Sequence, residues 1–362
     1  MLQTFYNDGI GLFDTTGWWN SANCITVLAD LTAINADISI VTGRTFQSTF
    51  TKAQKFNLHQ MRMPYCHDGK CAEEVQNVMV RKRGIYSVNG VQVEYADPKG
   101  FLNGFFDDES WWALAWMKVY DLTSDRQYLD AAEYIFQDLR TQATNATCGG
   151  VWWDRPRTAN TAISNALYIS VAAHLASRVP KRGDFYLKHA IDNWRWFEDS
   201  GLIDADNQIN DGINLQTCKN DGKDVWSYNQ GVILGALTEM NKLTSNVSYV
   251  DIASKIATAA VTKMVDANGI FHDPREPNLG GDGNQFKGVF ARNLKELYKV
   301  TRNPAYKTFL EKNADSLWAT ARNSATGVIG GVWSGPYDEA NGSAASQSSG
   351  MDALIAAAVV QK

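Results

Sequence analysis

Two kinds of apolar pattern alternate along this chain. Segments 108–122, 159–177, 227–243 and 285–301 are apolar on nearly every side, and each follows a loop rich in Gly, Trp and Asp. Segments 126–140, 184–199, 248–265 and 304–320 carry one apolar stripe at helical spacing and open at a turn followed by an aromatic. A helix apolar all round must be buried on all sides, whereas a single stripe means one face on a core and one in water. Segment 20–40, after the loop 11–19, adds a first unit, and the small apolar stretch 343–360 a last one. The Gly-rich openers fall near residues 11, 104, 149, 226, 281 and 330, which makes six helical hairpins. An open stack of such hairpins needs polar caps at its ends. The last inner segment is small and apolar instead, so the pattern predicts an all-α fold, a closed double ring of twelve helices or (α/α)6 barrel, as one domain over 1–362. Two long gaps carry insertions. One, 83–99, has Asn89-Gly90 between alternating β-type residues and predicts a β-hairpin; the other, 201–224, is polar and turn-rich.

In such a ring the loops entering the inner helices gather on one face. Those loops hold the chemistry-bearing residues, so that face is expected to hold the cleft. Twelve Trp include the pairs Trp18-Trp19, Trp111-Trp112 and Trp152-Trp153. One indole of each pair can pack while the other faces a cleft, and flat apolar rings with a polar edge suit the C–H faces of sugars.

The net charge of −5 with no basic run excludes a nucleic-acid footprint. The apolar run 351–360 is too short to span a bilayer. No signal-peptide pattern stands ahead of Leu2, so Met1 is expected to open a mature protein. Of five cysteines, Cys66 and Cys71 flank a short polar loop and can close a small ring, Cys148 and Cys218 both lie in inter-helix loops and can pair, and Cys24 sits on an apolar stretch as a buried thiol. None has zinc spacing, and neither metal nor cofactor is expected. Sequons at Asn145, Asn246 and Asn341, all in loops, join the cysteines in pointing to a secreted or cell-wall glycoprotein. A monomer is expected.

The most informative segment is Gly104-Phe105-Phe106-Asp107-Asp108-Glu109-Ser110-Trp111-Trp112. Acids at a helix start can act merely as caps, worth about 0.5–2 kcal/mol. Capping needs one acid, and here three meet among aromatics. Neighbouring carboxylates in a desolvated cleft hold different pKa values, one protonated and one ionised. Glycoside hydrolysis needs such a pair. Adjacent residues suit the roughly 5 Å separation of a retaining enzyme better than the about 6.5–9.5 Å that admits a water. Position 111 is Trp, so this is no DDxxD motif. None of the five His (59, 67, 174, 189 and 272) lies in an opener, which argues against an epimerase. Substrate contacts are expected from Trp19, Asn23, Trp111, Trp153, Tyr228, Asn229 and Gln230. Asp154 reads as a hydroxyl acceptor or a loop cap. Lys287, on an otherwise apolar helix, needs a partner or a ligand; Gln285 and Asp282 are weaker candidates. Tyr128, Tyr186, Tyr249 and Tyr306 recur at matching outer positions as packing residues.

The segment 106–112 resembles the signature of glycoside hydrolase family 76, the endo-α-1,6-mannanases. So do 11–23 (GLFDTTGWWNSAN), 149–154 (GGVWWD), 226–231 (WSYNQG) and 285–288 (QFKG). The resemblance covers nearly the whole chain. It implies an (α/α)6 barrel, retention of configuration and α-1,6-mannan as substrate, with Asp107 as nucleophile and Asp108 as general acid/base. The run 157–161 departs from the family pattern around Asn160 and Asn165, where a sugar contact at Asn160 is expected. Transfer of a mannan chain to another acceptor on the same residues, or a non-catalytic sugar-binding role, are the alternatives.

Overall fold

The computed structural model describes residues 1–55 and 100–361, together with the backbone of four strands between them. The helices are α1 (Leu2–Phe5), α2 (Trp18–Ile34), α3 (Ser39–Ala53), α4 (Phe106–Thr123), α5 (Arg126–Asp138), α6 (Ala162–Arg178), α7 (Gly183–Asp199), α8 (Ser227–Thr244), α9 (Ser248–Lys263), α10 (Gly280–Thr301), α11 (Pro304–Thr320) and α12 (Ala344–Val360). The even-numbered helices form the inner ring. Each packs on the next, α2 on α4 and so on through α12, which returns to α2 and closes the circle. Burial follows the two sequence classes: 14 of the 17 residues of α2 are buried, against five of the 13 of α5. α3 and α5, α7, α9 and α11 lie outside, and α1 is a single turn.

The two faces of the barrel differ by turn chemistry. Three connections from inner to outer helix repeat one device. In Thr123-Ser124-Asp125, Thr244-Ser245-Asn246 and Thr301-Arg302-Asn303 the middle residue is left-handed, with φ of 56°, 58° and 53°. The threonine hydroxyl accepts the third residue's N–H, and that residue's side chain accepts the N–H two further on, at the start of the outer helix. These short turns fix one face. The connections back to the inner helices are long and fall on the other. There Asn160–Thr161, Gly212–Asn214 and Lys219–Asn220 form a three-stranded sheet, and Cys148 and Cys218 are disulfide-bonded, as the loop positions suggested. Cys24 is a buried free thiol.

Closure needs backbones in contact. A Cβ on Gly288 of α10 would sit 2.4 Å from Ser349 Cα on α12, and the Gly288 N–H donates to Ser349 Oγ at 2.8 Å. Gly288→Ala gains roughly 1 kcal/mol of helix propensity, but it drives a methyl into a backbone that cannot turn aside, at about 1–3 kcal/mol. A lowered denaturant midpoint is the expected result; an unchanged or raised midpoint would show that the α10–α12 contact yields.

The expected hairpin is present, with Ile85–Val88 paired to Val91–Glu94 around Asn89-Gly90. A second, unanticipated hairpin pairs Leu58–His67 with Lys70–Met79 and sets Cys66 opposite Cys71; the expected bond between those thiols lies outside the described residues. The first inner helix ends at Ile34, short of the segment 20–40 that opens the first unit in the sequence pattern, and α3 begins at Ser39 inside that segment.

Candidate active site

Four inner helices start around one cavity on the long-loop face. α2 brings Trp19, α4 Asp107, Asp108 and Trp111, α8 Tyr228, and α10 Asp282 and Phe286; Phe105 and Trp153 complete the lining. The walls are aromatic. Trp19 stacks on Trp111 with centroids 5.7 Å apart, Tyr228 lies flat on Phe286 at 3.8 Å, and Phe105 meets Trp153 at 4.8 Å. The paired tryptophans divide as expected. Trp18, Trp112 and Trp152 are packed away from the cavity, while their neighbours Trp19, Trp111 and Trp153 line it, Trp19 and Trp111 from the edge of the same core.

The acidic run sits in the first turn of α4. Its approach is pinned by the Phe106 N–H donating to Trp153 O at 2.9 Å and by the Phe105–Asp154 bridge. The three acids differ in their surroundings. Asp107 is half-buried and its Oδ2 accepts the Trp153 indole N–H at 3.0 Å. That bond and the positive end of the helix both favour a carboxylate. Asp108 is buried, and its Oδ2 accepts Asn103 Nδ2–H at 2.7 Å. Burial, then the neighbouring Asp107, hold the Asp108 carboxyl well above the usual carboxylate range, with Asn103 working against them and Asp282 and Glu109 adding to them. Glu109 is fully buried and turns away: its Oε1 accepts the Asn103 N–H at 2.8 Å and Arg155 Nη2–H at 2.5 Å. Burial pushes it up to about 8, with the Arg155 guanidinium opposing. Across the cavity, Asp282 Oδ1 accepts the Trp19 indole N–H at 3.0 Å.

Of the residues named from sequence, Asp107, Asp108, Trp19, Trp111, Trp153 and Tyr228 come together here, joined by the weaker candidate Asp282. The remaining ones lie outside the cavity lining, held by protein partners. Asn23 accepts from Arg292 inside the barrel. Asp154 takes the loop-cap alternative, accepting from Thr158 N–H at 2.7 Å and Thr158 Oγ1–H at 2.6 Å. Asn160 Nδ2–H donates to Gly149 O, and its Oδ1 accepts from Asn165. Asn229 donates to Asp211 Oδ1 at 3.1 Å. Gln230 satisfies both backbone groups of Ile209. Lys287 is buried against Glu276 and over the Trp333 ring, so its partner is an acid of this chain. Phe105, Phe286 and Asn103 were not singled out from sequence, and Asp282 was ranked low. A phenylalanine in a helix opener reads as core, and Asn103 stands before the predicted helix with only the neighbouring Gly104 to mark it.

Comparison with known proteins agrees with the fold. Mannan endo-1,6-alpha-mannosidase DCW1 of Candida albicans is 23% identical over 258 residues, covering 64% of this chain and 57% of its own length. A putative mannan endo-1,6-alpha-mannosidase of Schizosaccharomyces pombe is 25% identical over 52% of this chain and 46% of its own. The chain thus spans about half the length of these curated relatives. Among solved structures, the α-1,6-mannanase of Salegentibacter sp. HEL1_6 superposes with a TM-score of 0.78 at 20% identity, over 99% of this chain and 96% of that one. The Lin0763 protein of Listeria innocua gives a TM-score of 0.74 at 25% identity, over 97% and 86%. Residues 2–362 match the family described as Glycosyl hydrolase family 76, and the chain belongs to that family.

Proposed function

We propose that this chain is a retaining endo-α-1,6-mannanase of secreted or cell-wall setting. The observation that carries the reading is the asymmetry of two adjacent acids at one aromatic-walled cavity: a half-buried Asp107 held by an indole N–H, and a buried Asp108 whose burial and neighbour keep its proton. Asp107 attacks the anomeric carbon while Asp108 protonates the departing glycosidic oxygen, leaving a mannosyl ester on Asp107. Asp108, now a carboxylate, takes a proton from the water that cleaves the ester, and both acids return to their starting states. Trp19, Trp111, Trp153 and Tyr228 supply apolar faces for the sugar rings. Relatives named as mannan endo-1,6-alpha-mannosidases support the substrate class. So does the Salegentibacter mannanase, one form of which is described as an inactive variant, with two consecutive aspartates replaced by alanine, in complex with α-1,6-mannotetrose.

The test is incubation of the protein with unbranched α-1,6-mannan and analysis of product length. Shorter oligosaccharides of retained configuration are expected. Longer products would replace water by a sugar acceptor in the second step, and binding without turnover would reject catalysis.

A further inference from the structure

We propose that Asn103 is the positioning residue that fixes Asp108 in its acid role, and that Glu109, the third acid of the run, acts by holding Asn103 and not by touching substrate. The inference rests on the retaining reading above.

All four polar groups of Asn103 are engaged. Its backbone N–H donates to Glu109 Oε1 at 2.8 Å, and its backbone carbonyl accepts Arg155 Nε–H. Its side-chain Oδ1 accepts the Phe105 N–H at 2.8 Å, and its Nδ2–H donates to Asp108 Oδ2 at 2.7 Å. A backbone N–H can only donate, so the oxygen of the amide must face Phe105 and the nitrogen must face Asp108. The orientation of the amide is therefore set by chemistry. Arg155 locks the far side: Nη2–H bonds both Glu109 Oε1 and Asp138 Oδ2, at 2.5 and 2.8 Å, and the guanidinium lies 5.0 Å from the Phe106 ring centroid. Asn103 and Glu109 are both buried, so the bond between them is shielded from solvent.

This clamp has a consequence for the proton. An amide N–H pointing at Oδ2 needs an acceptor there, so neutral Asp108 carries its hydrogen on Oδ1. When the proton leaves for the glycosidic oxygen, the same N–H stays in place and favours the carboxylate that must next take a proton from water. One donor thus serves both halves of the cycle. Glu109 explains why three acids stand in a row although two suffice for chemistry: the third faces the opposite way and fixes the loop that carries the donor.

The experiment compares Asn103→Ala and Asn103→Asp with the wild type on two substrates: α-1,6-mannan, whose leaving sugar needs a proton, and a dinitrophenyl α-1,6-mannobioside, whose leaving group does not. Asn103→Asp keeps the size and the acceptor for Phe105 while replacing the fixed amide donor by a carboxyl that competes with Asp108 for one proton, and so covers the case in which the alanine variant does not fold. The expected result is a loss of about 100-fold in kcat/KM on mannan, the usual effect of misplacing a reacting group. On the aryl substrate the loss is several-fold at most, and the alkaline limb of the mannan pH profile moves upward in both variants. Equal losses on both substrates with an unmoved limb would overturn the proposal by making Asn103 merely structural. Asp108→Ala is the control for the underlying reading. If it shows strong leaving-group dependence while neither Asn103 variant does, the positioning role alone falls. If Asp108→Ala shows none, the acid assignment and with it this inference both fall.

Discussion

Asp107→Ala is expected to lower kcat on α-1,6-mannan by on the order of 10⁴–10⁶-fold, the scale seen when a covalent nucleophile is removed. Asp108→Ala is expected to lose about 10²–10⁴-fold on mannan, the range for general acid–base catalysis. Loss of activity alone does not separate the roles; added azide does. In the Asp108 variant the mannosyl ester still forms from an activated aryl substrate, and azide, needing no base, displaces Asp107 to give the α-azide of retained configuration. In the Asp107 variant azide fits the space of the lost side chain and attacks directly, giving the inverted β-azide. NMR of the anomeric proton distinguishes the two products. The opposite pairing would exchange the two roles. The pH profile supplies a second reading. Because burial and Asp107 raise the Asp108 carboxyl, its proton persists to higher pH than an ordinary aspartate's. With Asp108 as the proposed acid, the alkaline limb of kcat/KM on mannan is expected to follow that ionisation and to move toward lower pH in any residual activity of the Asp107 variant, where the neighbouring charge is gone.

The architecture could be read from sequence because burial on all sides leaves a continuous apolar signature, and α4, α6, α8 and α10 each carry it behind a Gly/Trp/Asp opener. α3 escaped because its stripe is weak: Ile40 and Val41 are exposed, and its buried face holds Thr42, Thr45 and Thr49 beside Phe46. Within the site, the division of Trp pairs and the acids at the start of α4 were legible, since both follow from helix geometry. Buried amides were not. A polar residue in an opener signals only that it needs partners. The Asp154–Thr158 contact spans four residues and was readable as a cap, whereas the partners of Gln230 and Asn23 stand 21 and 269 residues away. Asn103 shows the same limit. Its Asx-type bond to Phe105 is local, but its hold on Asp108 depends on a loop shape fixed by Glu109 and Arg155.

The largest effect on stability is expected at Asp30, far from the acids in the interior of the ring. Asp30 belongs to α2 and its carboxylate accepts from Lys118 of α4 at 2.8 Å and Lys295 of α10 at 2.9 Å, so one side chain ties three inner helices. Its burial opposes ionisation, yet the two ammonium groups outweigh it and hold Asp30 below the usual carboxylate range. Lys118 is a third exposed and can turn to water, whereas the Lys295 side chain is 5% exposed and, among the described residues, keeps Glu296 at 3.5 Å as its one ion-pair partner when Asp30 is lost, with the Asp352 carboxyl acting from farther off. Removing one partner of a buried ion pair costs about 3–5 kcal/mol, because the charge left behind is uncompensated. For a chain of this size Asp30→Ala should therefore lower Tm by about 4–7 °C. The gap between wild type and variant should hold above roughly pH 4, where an unfolded-state aspartate is ionised, and narrow as pH falls toward the depressed folded value. Adding Lys295→Met to Asp30→Ala should recover part of the loss, since it removes the stranded charge and fills the space with apolar atoms. A double variant no more stable than the single one would place the cost in lost packing at α2 instead of in the unpaired ammonium.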